Sequence, residues 1–133
     1  MSGNAFRALI VEDTDASRDL EEIVLRAAGF HVTTATTGAM ALEVLDHQQF
    51  DIILMDLKLP DMDGLEVVRA VRANPRTRRI AIAAVTAKAM RGDRESAMQA
   101  GCDGYITKPI STRTFAAAID SIIATRRQTE GQQ

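Results

Sequence analysis

Short apolar runs alternate with helical patterns along nearly the whole chain, and that alternation narrows the fold more than any other feature. Candidate strands span 7–11, 31–35, 51–55, 80–85 and 104–107. Candidate helices span 16–28, 39–47, 65–73, 91–100 and 112–126. Three of the strand runs are apolar with little alternation, the pattern of parallel strands buried on both faces. Leu20, Ile23, Val24 and Ala27 repeat at helical spacing, as do Phe115, Ile119, Ile122 and Ile123. Gly29 and Gly101 follow predicted helices as C-terminal caps, Asn74-Pro75 stops the third helix, and Ser111 or Thr112 can cap the last. Five β-α units in series imply an α/β fold: a parallel sheet, helices on both faces, right-handed crossovers.

A chain of 133 residues predicts one domain, here 5–124, followed by a polar tail over 125–133 that frays. Sixteen basic and 18 acidic residues leave a net charge of -2, so nothing suggests a nucleic-acid binder. The single Cys102 excludes an internal disulfide and fits a reducing compartment. No apolar stretch reaches membrane-span length, and Met1-Ser2-Gly3-Asn4 leaves no room for a signal peptide. The expectation is a cytoplasmic protein with no attached output domain, and the start at Met1 and short tail favour a stand-alone protein over a piece of a hybrid kinase.

Parallel strands deliver their C-terminal ends to one edge, where such folds place their chemistry. Glu12-Asp13 follow strand one, Asp56 strand three, Thr86 strand four and Lys108 strand five. One carboxylate there is ordinarily a solvated loop residue or a helix cap. Two acidic strand ends joined by a lysine and a threonine are harder to dismiss. Clustered carboxylates repel and require compensation. Mg²⁺ suits them, because it takes oxygen ligands, one or two carboxylates and a phosphate. No Cys/His cluster serves a softer metal; His31 and His47 read as surface residues. An aspartate is a competent nucleophile toward phosphorus. A metal, Lys108 and Thr86 can each meet a phosphoryl oxygen. These residue types suit in-line phosphoryl transfer to Asp56.

The motifs Val11-Glu12-Asp13, Leu54-Met55-Asp56 through Asp63-Gly64, Val85-Thr86-Ala87 and Gly104-Tyr105-Ile106-Thr107-Lys108-Pro109 together resemble the receiver domain of two-component response regulators. The stretch Ala100-Gly101-Cys102-Asp103-Gly104-Tyr105 is most similar to stand-alone DivK-type receivers and the receivers of hybrid histidine kinases. The resemblance covers residues 8–123. It implies a flavodoxin-like (βα)5 doubly wound sheet of strand order 2-1-3-4-5. It implies that Asp56 takes a phosphoryl group from a histidine kinase or phosphotransfer protein, with no catalysis beyond its own phosphorylation and dephosphorylation. By the same resemblance Asp13, Asp56 and the Lys58 backbone carbonyl ligate Mg²⁺, and Glu12 holds a metal-bound water. Lys108 contacts the phosphoryl oxygens, Lys108-Pro109 is cis, and Thr86 and Tyr105 form a switch pair. Glu12 stands where many receivers carry Asp. Lys58 and Lys88 flank the phosphoryl position, so phosphoryl lifetime stays open.

Competing readings are weaker. A haloacid-dehalogenase-type phosphatase also uses an Asp nucleophile with Mg²⁺, but its second Asp would stand at Lys58 and its cap insertion is missing. A pseudo-receiver conflicts with the intact Asp13, Asp56, Thr86 and Lys108. Gly38 in Thr36-Thr37-Gly38-Ala39 resembles a flavin-phosphate loop only faintly, since it follows the second strand. Arg76, Arg78 and Arg79 form a basic patch, read as a solvated loop rather than an anion site. Met90 and Met98 read as core fillers.

Phosphorylation adds charge beside Thr86, and its hydroxyl can turn inward while Tyr105 rotates into the vacated space. The responding surface is then helix 91–100, strand five and the last helix. A downstream protein target is expected around Met90, Arg94, Met98, Tyr105 and Thr112. No membrane or direct nucleic-acid contact is expected, and the chain is a monomer or a phosphorylation-dependent dimer.

Overall fold

The computed structural model describes residues 5–87 and 92–131. Ten elements alternate strictly: β1 (Arg7–Val11), α1 (Asp15–Ala27), β2 (His31–Ala35), α2 (Gly38–His47), β3 (Ile52–Met55), α3 (Gly64–Ala73), β4 (Ala81–Thr86), α4 (Asp93–Ala100), β5 (Gly104–Thr107) and α5 (Phe115–Gly131). The strands form one parallel sheet of order β2-β1-β3-β4-β5, the doubly wound flavodoxin-like arrangement. Every residue of β3 and β4 is buried, as central strands covered on both faces must be.

Strand alternation divides the core in two. Leu9, Ile53, Met55 and Ile82 pack with Ala41 and Leu45 of α2, Val67, Val68 and Val71 of α3, and Ala97 of α4. Ile10, Ile52, Leu54 and Val85 face the other way, onto Leu25 of α1 and Phe115, Ile119 and Ile123 of α5. The apolar repeat read for the last helix is therefore the one it buries. In α1 the packing face lies elsewhere. Leu25 and Glu21 are buried, Leu20 is 38% exposed and Ile23 65%, so of the predicted repeat Leu20, Ile23, Val24 and Ala27 only Val24 packs against the core. Met98 is 39% exposed rather than filling the core; Met90 and Lys88 lie outside the described residues.

Boundaries moved where tertiary bonds decided them. Asp51 stands before β3 because its carboxylate accepts from the Arg7 amide at 2.8 Å. β4 runs on to Thr86, whose carbonyl accepts from the Lys108 amide at 2.9 Å. The carbonyl of Ser111 accepts from the Thr114 and Phe115 amides, and this turn delays α5 to Phe115. At its other end α5 continues to Gly131, beyond the helix end expected at 126. Arg126 donates to the Arg78 carbonyl at 2.8 Å and Arg127 pairs with Asp51 at 2.5 Å, so the last turns are tied to the sheet's N-terminal edge. Among the described residues no helix is long and apolar enough to cross a membrane.

Candidate functional site

Four strand ends converge on the C-terminal edge of the sheet. The Asp56 amide donates to the Val11 carbonyl at 3.0 Å, and the Glu12 amide to the Ala35 carbonyl at 3.0 Å. The acids that follow β1 and β3 are thus set side by side by the sheet ladder itself. Glu12, Asp13 and Asp56 each offer a carboxylate oxygen within 4.8 Å of the others. Glu12 and Asp56 are buried, while Asp13 is exposed. Lys108 Nζ lies 2.5 Å from Glu12 Oε1 and 3.8 Å from Asp56 Oδ2. Thr86 is buried at the end of β4, next to β5, whose Thr107 pairs with it and precedes Lys108. The Lys108-Pro109 bond is cis.

Local bonds hold the acids in place. Asp56 Oδ1 accepts from the Lys58 amide at 3.0 Å, and Glu12 Oε2 from the Thr14 amide at 3.1 Å. The Asp63 carboxylate caps α3 through the Leu65 amide. Gly64 opens that helix against Asp56: a Cβ there would stand 2.5 Å from the Asp56 carbonyl oxygen and 2.7 Å from Leu57 Cα. Only glycine allows this approach.

The electrostatics are those of acids crowded beside one amine. Burial, with the adjacent Glu12, pushes Asp56 up to about 6. Burial opposes the Lys108 ammonium, but its bond to Glu12 and the Asp56 charge outweigh that and raise its pKa. Two carboxylates and one ammonium in the buried pocket, with a third acid at its mouth, leave an excess of negative charge that a hard cation would relieve. The all-oxygen donor set fits Mg²⁺.

Tyr105 is half-buried on the same sheet face as Thr86, since Ala84 pairs with it and Thr86 lies two residues farther along β4. Arg94 of α4 sits over its ring, 6.0 Å from the centroid. A cavity of about 220 Å³ separates Leu57 and Lys58 from Asp93 and Ser96, with Thr86 in its wall. Arg94, Met98 and Thr112 are exposed.

Two participants escaped sequence reasoning. Glu21 of α1 is 2% exposed, and burial, then Glu12, pushes it up to about 8. It lines a small cleft with Lys108 and Pro109. A helical glutamate beside Glu22 gives no hint of this; only its offset of one turn from Leu25 could have. Asp61 accepts from the Gly38 and Ala39 amides at 2.8 and 3.0 Å, which hold its carboxyl below the usual range. It ties the loop after β3 to the start of α2. Gly38 is used here as an amide donor to Asp61 and for close packing, since a Cβ would stand 2.6 Å from Met62 Cγ.

The profile of the response regulator receiver domain matches residues 8–120. The polar-differentiation response regulator DivK of Brucella ovis is 38% identical over 115 residues, spanning 86% of this chain and 94% of that protein. The receiver domain of a sensor histidine kinase from Pseudomonas aeruginosa PAO1, solved with magnesium coordinated in its active-site cleft, is 36% identical with a TM-score of 0.83, covering 91% of this chain and 99% of that one. A CheY-like receiver from Methanospirillum hungatei superposes with a TM-score of 0.85 at 28% identity, covering 95% and 99%. With its sheet order and acidic edge, the chain belongs to the response regulator receiver domains, the phosphoacceptors of two-component signalling.

Proposed function

We propose that Asp56 is the phosphoacceptor and that a histidine kinase or phosphotransfer protein is the donor. One observation carries this reading: the Asp56 carboxylate is buried at a strand end, within 4.8 Å of two other acids and 3.8 Å from an ammonium. An Asp56 oxygen forms the new P–O bond as the P–N bond of a phosphohistidine breaks, and the imidazole keeps the electron pair. Asp13, Asp56 and the Lys58 carbonyl would hold Mg²⁺, with Glu12 reaching it through water. Bound there, the ion supplies charge neutralisation for the equatorial phosphoryl oxygens. Lys108, now on Glu12, is close enough to Asp56 to meet the new phosphoryl group.

The output surface is α4, β5 and the start of α5. Thr86 would turn toward the phosphoryl group and Tyr105 would follow it inward, away from Arg94. Arg94, Met98, Tyr105 and Thr112 present this surface to a protein target; Met90 lies outside the described residues. The receiver turns over nothing but its own phosphoryl group. Incubation with phosphoramidate and Mg²⁺ should add one hydroxylamine-labile phosphoryl group, detected by intact mass. Full labelling of Asp56→Asn would refute the assignment, and sustained hydrolysis of p-nitrophenyl phosphate would favour a phosphatase.

A further inference from the structure

A cleft of about 570 Å³ lies at the opposite edge of the sheet from the acids, inside the size range of small-molecule sites. Three separate segments build it: 48–51 before β3, 76–81 before β4, and 123–127 of α5. Its charge runs against that of the chain. Among its described lining residues, Arg76, Arg79, Arg126 and Arg127 stand with one acid, Asp51, in a protein of net charge -2. Leu45, Phe50, Ile80 and Ile123 supply an apolar wall.

The cleft is pre-formed. Arg126 bonds the Arg78 carbonyl at 2.8 Å, and Arg76 bonds the Asp46 carbonyl at 3.1 Å. Thr77 Oγ1 donates to the Val71 carbonyl at 2.8 Å, and the Asn74 side chain accepts from the Arg76 amide. Asp51 neutralises Arg127. Arg76 and Arg79 are exposed at the rim. A guanidinium has five donors in a fork that matches phosphate oxygens, so one backbone contact leaves Arg76 with donors to spare. Read along the sequence, Arg76 and Arg79 belong to a solvated loop. The fold adds Arg126 and Arg127 from α5, and with them an apolar wall.

We propose that this cleft binds a phosphorylated small molecule of nucleotide size, its phosphates on Arg76 and Arg79 and its ring system against the apolar wall. Charge on one side and hydrocarbon on the other select an anion with a planar or apolar body. Bare phosphate would use only half the site. The cleft shares no residue with the acidic edge, so binding is independent of Asp56.

The test is a titration of ¹⁵N-labelled full chain with ATP, GTP, ribose 5-phosphate, inorganic phosphate and a hexaglutamate peptide, in physiological salt. A nucleoside triphosphate should shift amides of 48–51, 76–81 and 123–127 saturably, at least tenfold tighter than inorganic phosphate. Arg76→Ala/Arg79→Ala should weaken it tenfold or more while the remaining spectrum stays native. Asp56→Asn should bind like wild type, which separates this idea from the phosphoacceptor reading. The proposal is overturned by unsaturated shifts up to millimolar nucleotide, by binding that survives the double variant, or by a peptide that binds as well as nucleotide.

Discussion

Lys108 is bonded to Glu12 at 2.5 Å and stands 3.8 Å from Asp56, so in this state the ammonium is committed to the neighbour of the proposed phosphoacceptor. Glu12 raises Asp56 and Lys108 lowers it, both acting on top of burial. Glu12→Gln should therefore bring Asp56 down from about 6, and Lys108→Ala should push it further up. Carboxyl ¹³C shifts followed against pH in metal-free buffer report both. Midpoints unchanged in the two variants would mean that burial alone sets this acid.

Magnesium affinity should depend on Asp13 more than on Glu12. Asp13 is exposed at the mouth of the cluster, whereas Glu12 is buried and already bonded to Lys108 and the Thr14 amide. Asp13→Ala should reduce affinity at least tenfold and Glu12→Asp by less than threefold, measured by calorimetry. Equal losses would make Glu12 a direct ligand.

Glu21 gives stability a pH dependence of definite sign. Its folded pKa, about 8, lies above the ordinary 4.5, so the folded chain holds a proton that the unfolded chain releases. That contribution is complete below about 4.5 and is lost as pH rises through 8. Its full extent is on the order of 5 kcal/mol. In EDTA, the difference in urea stability between Glu21→Leu and wild type should grow in the variant's favour from pH 5 to pH 8.5. A difference that is flat with pH would show that Glu21 is ionised in the fold.

Arg72 should be among the costliest polar side chains to remove. Its guanidinium bonds the carbonyls of Gly101, Arg78 and Ile80 and the Asp103 carboxylate, all at 2.6–2.9 Å. Gly101 sits so close that a Cβ would meet Arg72 Cγ at 2.7 Å, at a φ of +124°. Arg72→Ala leaves three carbonyls without this donor and the half-buried Asp103 carboxylate with only the Ile82 amide and Arg126, and should cost about 1.5–3 kcal/mol in urea unfolding. Arg72→Lys should recover only a minor part, since one ammonium cannot reach four acceptors. A loss under about 1 kcal/mol would contradict this role.

Thr86→Ala should leave labelling of Asp56 intact and weaken phosphorylation-dependent partner binding by tenfold or more. In the wild type, amide shifts on phosphorylation should extend from Asp56 through 93–107 to Thr112. Shifts confined to the loops around Asp56 would exclude the Thr86–Tyr105 switch.

The fold was legible because three of the strands are short apolar runs and four of the five helices are punctuated by glycine, proline or a capping residue. The acidic edge was legible because parallel strands sort their ends without help from side-chain detail. What stayed hidden depended on contacts distant in sequence. Glu21 looks like a solvent-facing helical acid until α1 is docked on the sheet. Residues 125–131 look like a polar tail until Arg126 finds the Arg78 carbonyl and Arg127 finds Asp51. Ile23 looks like core, yet Leu25 takes that place and Ile23 faces out. Local pattern gives periodicity, but the direction of a helix face is decided by what it packs against.

The glycine at the start of α3 gives the site a fixed wall. With no room for even a methyl group between Gly64 and the Asp56 backbone, α3 cannot step inward when an anion is added. On the opposite side α4 buries Ala97 alone, and about 220 Å³ of space lies between it and the loop after β3. Among the described residues, a displacement begun at Asp56 meets a closed wall at α3 and open space toward α4, so α4 is the arm expected to move.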